Sequence, residues 1–213
     1  EPAFAADGRQ AVEPQADALR YFLLREIPFD GDGDFSWSRL DARYTSELAN
    51  TVGNLTSRVT ALVEKHTEGG RVPQAPAAAS DTVAAAVTAL ENRAAGAVDR
   101  YVAAFDAFRP HEALAAVIDA LSAGNELVSR VQPWTLAQEP SRRCDFDRTI
   151  AALVTLLARQ AVLLSPAVPA AADRLWRSLG APGSVHDQRL ARLGALDSAG
   201  WRVARSGPLF PRG

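Results

Sequence analysis

Three polar side chains at helical spacing carry the most evident chemistry in this sequence. Asn50, Asn54 and Arg58 stand at i, i+4 and i+8, so in an α-helix they share one face beside an apolar stripe. Amides carry donors and acceptors, and a guanidinium is a planar cation with several donors, which suits both groups to the edges of unpaired nucleobases. The pattern fits an ordinary solvated helix edge equally well, although asparagine is a mediocre helix former and two in line need a reason.

Two more residues stand out further along the chain. Asn125 interrupts an apolar stripe, and because an unpartnered buried amide costs about 1 to 3 kcal/mol, we expect it to be hydrogen-bonded or near the surface. Trp134 follows Pro133, which ends a predicted helix. An indole at such a place is either a lid on the core or an exposed stacking platform, and general packing behaviour favours the lid.

Catalytic and metal-binding patterns are absent from the sequence. His66, His111 and His186 are isolated from one another, and neither the single cysteine, Cys144, nor a carboxylate stands at metal-ligand spacing from them. No phosphate-binding loop, nucleophile elbow or dinucleotide fingerprint occurs. The sequence therefore predicts a chain that is not an enzyme by itself and that uses neither metal nor cofactor.

The polar residues need helices to position them, and the hydrophobic pattern supplies these. A nearly all-round apolar helix runs from Asp17 and ends at Pro28, so it must be buried against other elements. The acidic glycine-rich stretch at 30–34 predicts a turn. Ser36 or Ser38 then caps a long amphipathic helix that reaches about His66 and carries the polar residues.

The rest of the chain repeats apolar residues at helical spacing. We expect an all-α bundle of about five helices with antiparallel neighbours, because the connections are mostly short. A C-terminal stretch from Trp201 is expected to be extended and packed back on the bundle. The later helices are predicted from a cap at Ser80 or Asp81 to Phe108, over 114–128, over 146–164, and from Pro169 to a glycine cap at Gly180.

The composition and charge of the chain restrict the classes of function that it can have. The 213 residues are 47% hydrophobic and carry a net charge of −2, which argues against nucleic-acid binding through a broad basic surface. Basic side chains outnumber acidic ones only from Arg109 onward, so any RNA contact would depend on a local patch and a few specific side chains. No signal peptide or membrane-length apolar run is present, and the sequence predicts a soluble, cytoplasmic protein without a membrane partner.

Several segments, taken in order, resemble the anticodon-binding domain of methionyl-tRNA synthetases. The resemblance covers nearly the whole chain from Asp17 onward, and its first and last segments are more particular to the methionyl branch than the one beginning at Leu163. The matching segments are DALRYFLLRE, DGDFS, LANTVGNLTSR, NELVSRVQPW, LLSPAVPAAADRLWRSLG and PLFPRG.

The resemblance implies an anticodon-recognition site. It implies that Asn54, Arg58 and Trp134, with Asn50 and Asn125 as possible support, occupy the positions by which the family recognises the CAU anticodon of methionine tRNA. The family's KMSKS loop precedes the first helix, but this chain has DGRQAVEP there without the lysines, and no HIGH-type sequence occurs. We therefore predict a linker over 1–16, an anticodon-binding domain over 17–213, and no catalytic domain. The resemblance implies that the parent protein is a methionine–tRNA ligase or a relative.

Two functions follow as alternatives. The first is tRNA recognition, either as part of a synthetase-like protein or free-standing in trans. The second is a synthetase-derived interaction or scaffold module that no longer binds tRNA and serves a specialised biosynthetic pathway. An apolar patch around Tyr21, Phe22 and Trp37 is predicted to dock a catalytic domain or a partner protein.

Overall fold

The predicted all-α class is confirmed. The computed structural model describes residues 12–28, 31–205 and 207–211. These ranges contain no β-strand and only an isolated antiparallel bridge between Arg71 and Arg202. The α-helices are α1 Val12–Glu26, α2 Trp37–Arg43, α3 Asn54–His66, α4 Asp81–Asp106, α5 Pro110–Val131, α6 Pro133–Leu136, α7 Arg143–Leu164 and α8 Pro169–Ser178.

The described residues contain eight α-helices against the predicted five or so, and two local features account for two of the additional helices. The expected helix ending at His66 has the predicted extent but is divided by a π-helical segment, Tyr44–Gly53, which joins α2 to α3 without a break. The Pro133–Leu136 turn forms a short additional helix. Ser36 caps α2 as expected, since its hydroxyl accepts the backbone N–H of Arg39 at 3.3 Å.

The N-terminal boundary remains a prediction. Residues 1–11, which make up most of the predicted linker, lie outside the described residues, and so does residue 30 of the predicted acidic turn. Helix α1 begins at Val12, within the predicted linker, earlier than the apolar pattern indicates.

Helix α7 is the centre of the bundle. It packs against α3, α4, α5, α6 and α8, while α4 and α5 form the most extensive antiparallel pair. Trp176 of α8 is buried as expected, and its indole N–H donates to the Pro182 carbonyl at 3.2 Å. The side chains of α7 that are completely buried include Phe146, Ile150, Leu153 and Leu157.

The C-terminal residues pack back on the bundle as predicted. Val203 donates its N–H to Gly70, and Ala204 to Ser178. Gly180 follows α8 with φ +71°, and a Cβ there would collide with the Arg202 carbonyl, so this close approach requires glycine. Further on, the Tyr44 hydroxyl donates to the Pro211 carbonyl at 2.6 Å, which fastens the last described residues to the π-helical segment.

Two helix N-termini are completed by carboxylates from other helices. Asp17 of α1 accepts the Ala171 N–H in the first turn of α8 at 2.8 Å. Asp145 of α7 accepts both the backbone N–H of Ser80, at 2.7 Å, and the Ser80 hydroxyl, at 3.0 Å. Ser80 is the residue before α4, as predicted, but its side chain bonds Asp145 instead of capping its own helix. These bonds supply partners for groups that a helix end leaves open.

Charge is also buried between α1 and the π-helical segment. Glu47 is buried, and its carboxylate accepts the Tyr21 hydroxyl at 2.5 Å and contacts Arg25 at 3.2 Å and Arg43 at 2.8 Å. Burial, and then the neighbouring Glu47 carboxylate, raise the pKa of Tyr21 well above its usual value. We name these four residues the Glu47 cluster. The cluster joins α1 to the π-helical segment. Separating them would leave buried charges without partners, so the cluster holds the two elements together.

In the part of the chain that the structure describes, no helix combines the length and the apolar character needed to cross a membrane.

We predict that Asp145→Asn destabilises the chain by about 1 to 3 kcal/mol at neutral pH, because Ser80 loses a charged acceptor. Burial alone would raise the pKa of Asp145, but the hydrogen bonds from Ser80 and Arg142 outweigh it and hold the pKa below its usual value of 3.8. The carboxylate therefore stabilises the fold above pH 4 and loses this contribution as the pH falls through the lowered pKa. Urea denaturation at pH 7 and pH 3 measures the difference.

Asp99→Asn is the matched control, since Asp99 is exposed on α4. The control is expected to unfold like the unsubstituted chain. An Asp145→Asn penalty that is equal at both pH values would contradict a stabilising role of the ionised carboxylate.

Candidate nucleic-acid interface

Arg58 and Trp134, which are far apart in sequence, meet at the surface. The Arg58 guanidinium carbon lies 5.6 Å from the centroid of the Trp134 ring, within the range of a cation–π contact. Among the residues that the structure describes, no carboxylate forms an ion pair with Arg58. Its N–H donors therefore face no competing anion.

Trp134 is an exposed platform, so the expectation of a lid on the core is wrong. The side chain is 39% exposed. The first and last residues of the short helix α6, Pro133 and Leu136, are buried and pack into the core instead. Because they lie on the inner face of this single turn, the indole between them is directed outward.

A residue in the left-handed backbone conformation precedes this turn and sets its orientation. Helix α5 ends at Val131, and Gln132 adopts φ 49° and ψ 63°, a conformation that costs most residues other than glycine about 1 to 2 kcal/mol. Its N–H still closes α5 by donating to Val128 at 3.1 Å, and its carbonyl accepts the Thr135 N–H at 2.8 Å. Gln132 thus separates α5 from α6 by a single residue, and Trp134 of α6 lies beside Arg58 of α3.

The polar row of Asn50, Asn54 and Arg58 lies on the long helix as expected. Asn50 belongs to the π-helical segment, whereas Asn54 begins α3 and Arg58 follows one turn later. Both asparagines are exposed, and Arg58 is half-buried under the indole. The row and the platform therefore form one surface in which amides, a guanidinium and an aromatic face are adjacent.

Asn125 is hydrogen-bonded, as expected, but only the nitrogen of its side-chain amide has partners. Its Nδ2 donates to the Thr51 carbonyl at 3.1 Å and to the Leu121 carbonyl at 3.4 Å. Its Oδ1 is buried, and no donor among the described residues reaches it. The residue thus connects α5 with the π-helical segment from beneath the polar row and does not lie on the exposed surface.

The apolar patch predicted around Tyr21, Phe22 and Trp37 requires a correction. Tyr21 and Phe22 are 1% exposed, because they lie on the face of α1 that packs into the bundle, and the Tyr21 hydroxyl belongs to the Glu47 cluster. Trp37 is exposed, at 65%. The exposed apolar residues here, which we name the α1 face, are Leu19, Leu23, Phe35 and Trp37.

Two features of this interface have no clear signal in the sequence. The π-helical register gives an apolar spacing that is hard to distinguish from an α-helix, although the asparagines near its end disfavour a regular helix. The left-handed Gln132 lacks the usual glycine or asparagine signal. Only its position before a proline, where a helix normally ends, indicates a turn.

Two family models match this chain. The model described as "tRNA synthetases class I (M)" matches residues 5–60, and the model described as "Anticodon-binding domain of tRNA ligase" matches residues 88–198. The second spans α5, α6, α7 and α8 together with most of α4, and the first includes the polar row.

Whole-protein comparisons give the same family. The methionine–tRNA ligase of Streptomyces coelicolor is 37% identical over 204 residues, covering 92% of this chain and 37% of that protein. The Enterococcus faecalis enzyme is 30% identical, with 92% of this chain and 29% of that protein covered. The chain therefore spans about a third of the length of these relatives.

Solved structures agree. The apo form of Mycobacterium tuberculosis methionyl-tRNA synthetase superposes with a TM-score of 0.82 at 32% identity, over 95% of this chain and 41% of that one. The same enzyme in complex with methionyl-adenylate superposes with a TM-score of 0.81 at 32% identity, over 92% of this chain and 37% of that one.

We predict that Gln132→Gly leaves the stability unchanged or raises it by up to about 1 kcal/mol, because glycine adopts positive φ without steric cost. Gln132→Val is expected to lower it by about 1 to 2 kcal/mol, since a β-branched side chain clashes in this conformation. Urea denaturation of the three proteins measures these differences. Gln138→Val, at an exposed position with negative φ, is the matched control, and an equal penalty at both positions would contradict the explanation.

Proposed function

This chain belongs to the family of anticodon-binding domains of tRNA ligases, in its methionyl-tRNA synthetase branch, and we propose from that premise that it binds methionine tRNA by its CAU anticodon at the surface formed by Asn54, Arg58 and Trp134. The single observation that carries the proposal is the contact of Arg58 with the exposed ring of Trp134. Asn50 and Asn125 support this surface.

Each of the three side chains has a distinct task in the proposal. An unpaired anticodon base stacks on the free face of Trp134, a contact that contributes about 1 to 3 kcal/mol per base. Arg58, held in a fixed plane by the same indole, donates to the carbonyl oxygen of cytosine, and the Asn54 amide offers a donor and an acceptor to a base edge. Together they provide stacking and edge recognition, the two means by which proteins recognise single-stranded RNA.

The charge of the chain agrees with recognition by few contacts. With a net charge of −2, the protein has little general attraction for phosphates. We therefore expect binding to depend less steeply on salt than it does in proteins that neutralise many phosphates, and to be selective for the anticodon sequence.

Catalysis is proposed to reside outside this chain. The sequence lacks the KMSKS lysines and a HIGH-type motif, and the chain spans about a third of the length of the ligases that it matches. A catalytic domain, in the same parent protein or in a partner, would dock on the α1 face, where Leu23 and Trp37 expose apolar surface. A cytoplasmic location, where methionine tRNA is charged, belongs to the same proposal.

The α1 face also favours a second candidate function. Phe35 contacts Phe22 and Trp37 edge-to-face, at 5.6 and 5.1 Å, so the exposed aromatic residues are ordered and suit a protein interface. A scaffold that uses this face and no longer binds tRNA would keep the fold and need neither Arg58 nor Trp134.

A tRNA titration separates the two functions. We predict that methionine tRNA binds the unsubstituted chain, and that changing its anticodon or substituting Trp134→Ala weakens binding by about tenfold or more, because one stacked base is lost. Arg58→Gln is expected to weaken binding to CAU and to reduce the discrimination against other anticodons. Fluorescence anisotropy at low and physiological salt measures both.

Trp37→Ala is the matched control, since it removes an exposed tryptophan from the α1 face and should leave the affinity for tRNA unchanged. Equal binding of all anticodons, or binding that is indifferent to Trp134, would refute anticodon recognition and favour the scaffold.

We also predict that the chain alone does not activate methionine. With no motif to hold the phosphates of ATP, methionine-dependent exchange of pyrophosphate into ATP should stay at the level of a protein-free sample. A full-length methionyl-tRNA synthetase serves as the positive control. Exchange above background that persists after repurification would overturn the proposal that catalysis resides outside this chain.

A further inference from the structure

We propose that the π-helical register of Tyr44–Gly53 determines specificity, by aligning Asn50 with Asn54 and Arg58, and that Asn125 is the positioning residue that holds this register. The inference rests on the proposed function, because it concerns how the same surface meets RNA. It goes beyond that function by assigning a task to a backbone irregularity and to a residue that lies beneath the surface.

The alignment follows from helix geometry. In a continuous α-helix, each residue turns by about 100°, so Arg58 would lie about 80° around the axis from Asn50. A π-helix turns by only about 80° per residue, so the step from Asn50 to Asn54 turns back by about 40°. The α-helical step from Asn54 to Arg58 then turns forward by about 40°. Asn50 and Arg58 therefore stand nearly in line, and the three polar side chains face the same way.

Hydrogen bonds of π type are present at the end of the segment. The Asn54 N–H donates to the carbonyl of Ala49, five residues earlier, as well as to that of Thr51. A side-chain bond spans the same distance along the chain, since the Thr51 hydroxyl donates to the Ser46 carbonyl at 2.9 Å. π-Helices are rare, mostly limited to a single turn and frequent at functional sites, so a segment of ten residues requires support from outside the helix.

Tertiary contacts provide this support. Glu47, in the first half of the segment, is held by the Glu47 cluster, and the Tyr44 hydroxyl is bonded to Pro211. At the other end, next to the polar row, the Asn125 amide donates to the Thr51 carbonyl. That carbonyl accepts the Asn54 N–H as well, so Asn125 acts at the turn where the π-helix changes into α3.

The hydrogen bonds of Asn125 indicate that its Nδ2 donor, and not its Oδ1 acceptor, is the functional group at this position. Its Nδ2 makes two hydrogen bonds, whereas its buried Oδ1 makes none with the described residues. A leucine would fill this position in an apolar stripe without an unmatched acceptor, so stability alone does not account for the asparagine. The same helix, α5, ends one residue before Gln132, and Asn125 thereby ties the polar row to the helix that presents Trp134.

A double-mutant cycle tests the proposal. The full chain is prepared unsubstituted and as Asn50→Ala, Asn125→Leu and the combination, and its affinity for methionine tRNA is measured by anisotropy. Leucine has the same branched shape as asparagine, with methyl groups in place of the amide oxygen and nitrogen, and it suits the surrounding apolar residues. The variant should therefore fold, which circular dichroism and urea denaturation verify. Ser129→Ala, at an exposed position of α5, replaces Asn125→Leu in the control cycle.

We expect Asn50→Ala to weaken binding by about five- to tenfold in the unsubstituted and Ser129→Ala backgrounds, as for the loss of a hydrogen bond to RNA. In the Asn125→Leu background, where Asn50 is no longer aligned, the same substitution should weaken binding less than about twofold. Hydrogen exchange of the backbone amides from 51 to 58 should be faster in Asn125→Leu than in Ser129→Ala, because the bond to Thr51 is absent.

An Asn50→Ala effect that is the same in all backgrounds, or unchanged amide exchange in Asn125→Leu, would overturn the proposed role of Asn125 while leaving tRNA recognition intact. Absence of tRNA binding by the unsubstituted chain would instead overturn the proposed function, and the specificity role with it.

Discussion

The burial of α7 is the constraint on which the rest of the structure depends. Most of its side chains are removed from water, and five other helices pack around it. A helix in this position brings polar helix ends into the interior, and each such end must be given a partner. Asp145, in the first turn of α7, binds Ser80 ahead of α4, and Asp17 binds the first turn of α8. The core therefore depends on apolar packing and on a few carboxylates that join one helix to the start of another.

The proposed interface lies where the backbone departs most from regular helix. One departure is the π-helical segment, and the other is the left-handed Gln132. Both are anchored to the core, the first by the Glu47 cluster and Asn125 and the second by the buried Pro133 and Leu136. A regular helix pair would present Arg58 and Trp134 in directions set by its own periodicity, whereas these two irregularities bring them into contact. In this arrangement the core stabilises the strained backbone that the proposed recognition would use.

The charge distribution is consistent with an interface of this kind. A protein that binds RNA by general attraction needs an excess of positive charge, and this chain has a net charge of −2. Much of its arginine content is used internally: Arg25 and Arg43 bind Glu47, and Arg93 binds Asp119. Arg58 differs, because within the described ranges its contact is with an aromatic ring and not with a carboxylate. Affinity and selectivity would thus depend on a few specific side chains.

The sequence by itself determined the helices and the identity of the polar residues, because hydrophobic periodicity, caps and prolines are local signals. The helix from Ser80 to its end before Pro110, the continuous helix to His66 and the glycine after α8 all follow from such signals. Tertiary structure alone decided three other matters. Tyr21 and Phe22 are buried and not exposed, Trp134 faces solvent and not the core, and Arg58 lies against Trp134. Each depends on which of several apolar faces fills the interior, and this choice is made by the whole bundle, through contacts between residues far apart in the chain. The π-helical register belongs with these, since the Thr51 carbonyl and the Asn125 amide are brought together only when α5 packs against it.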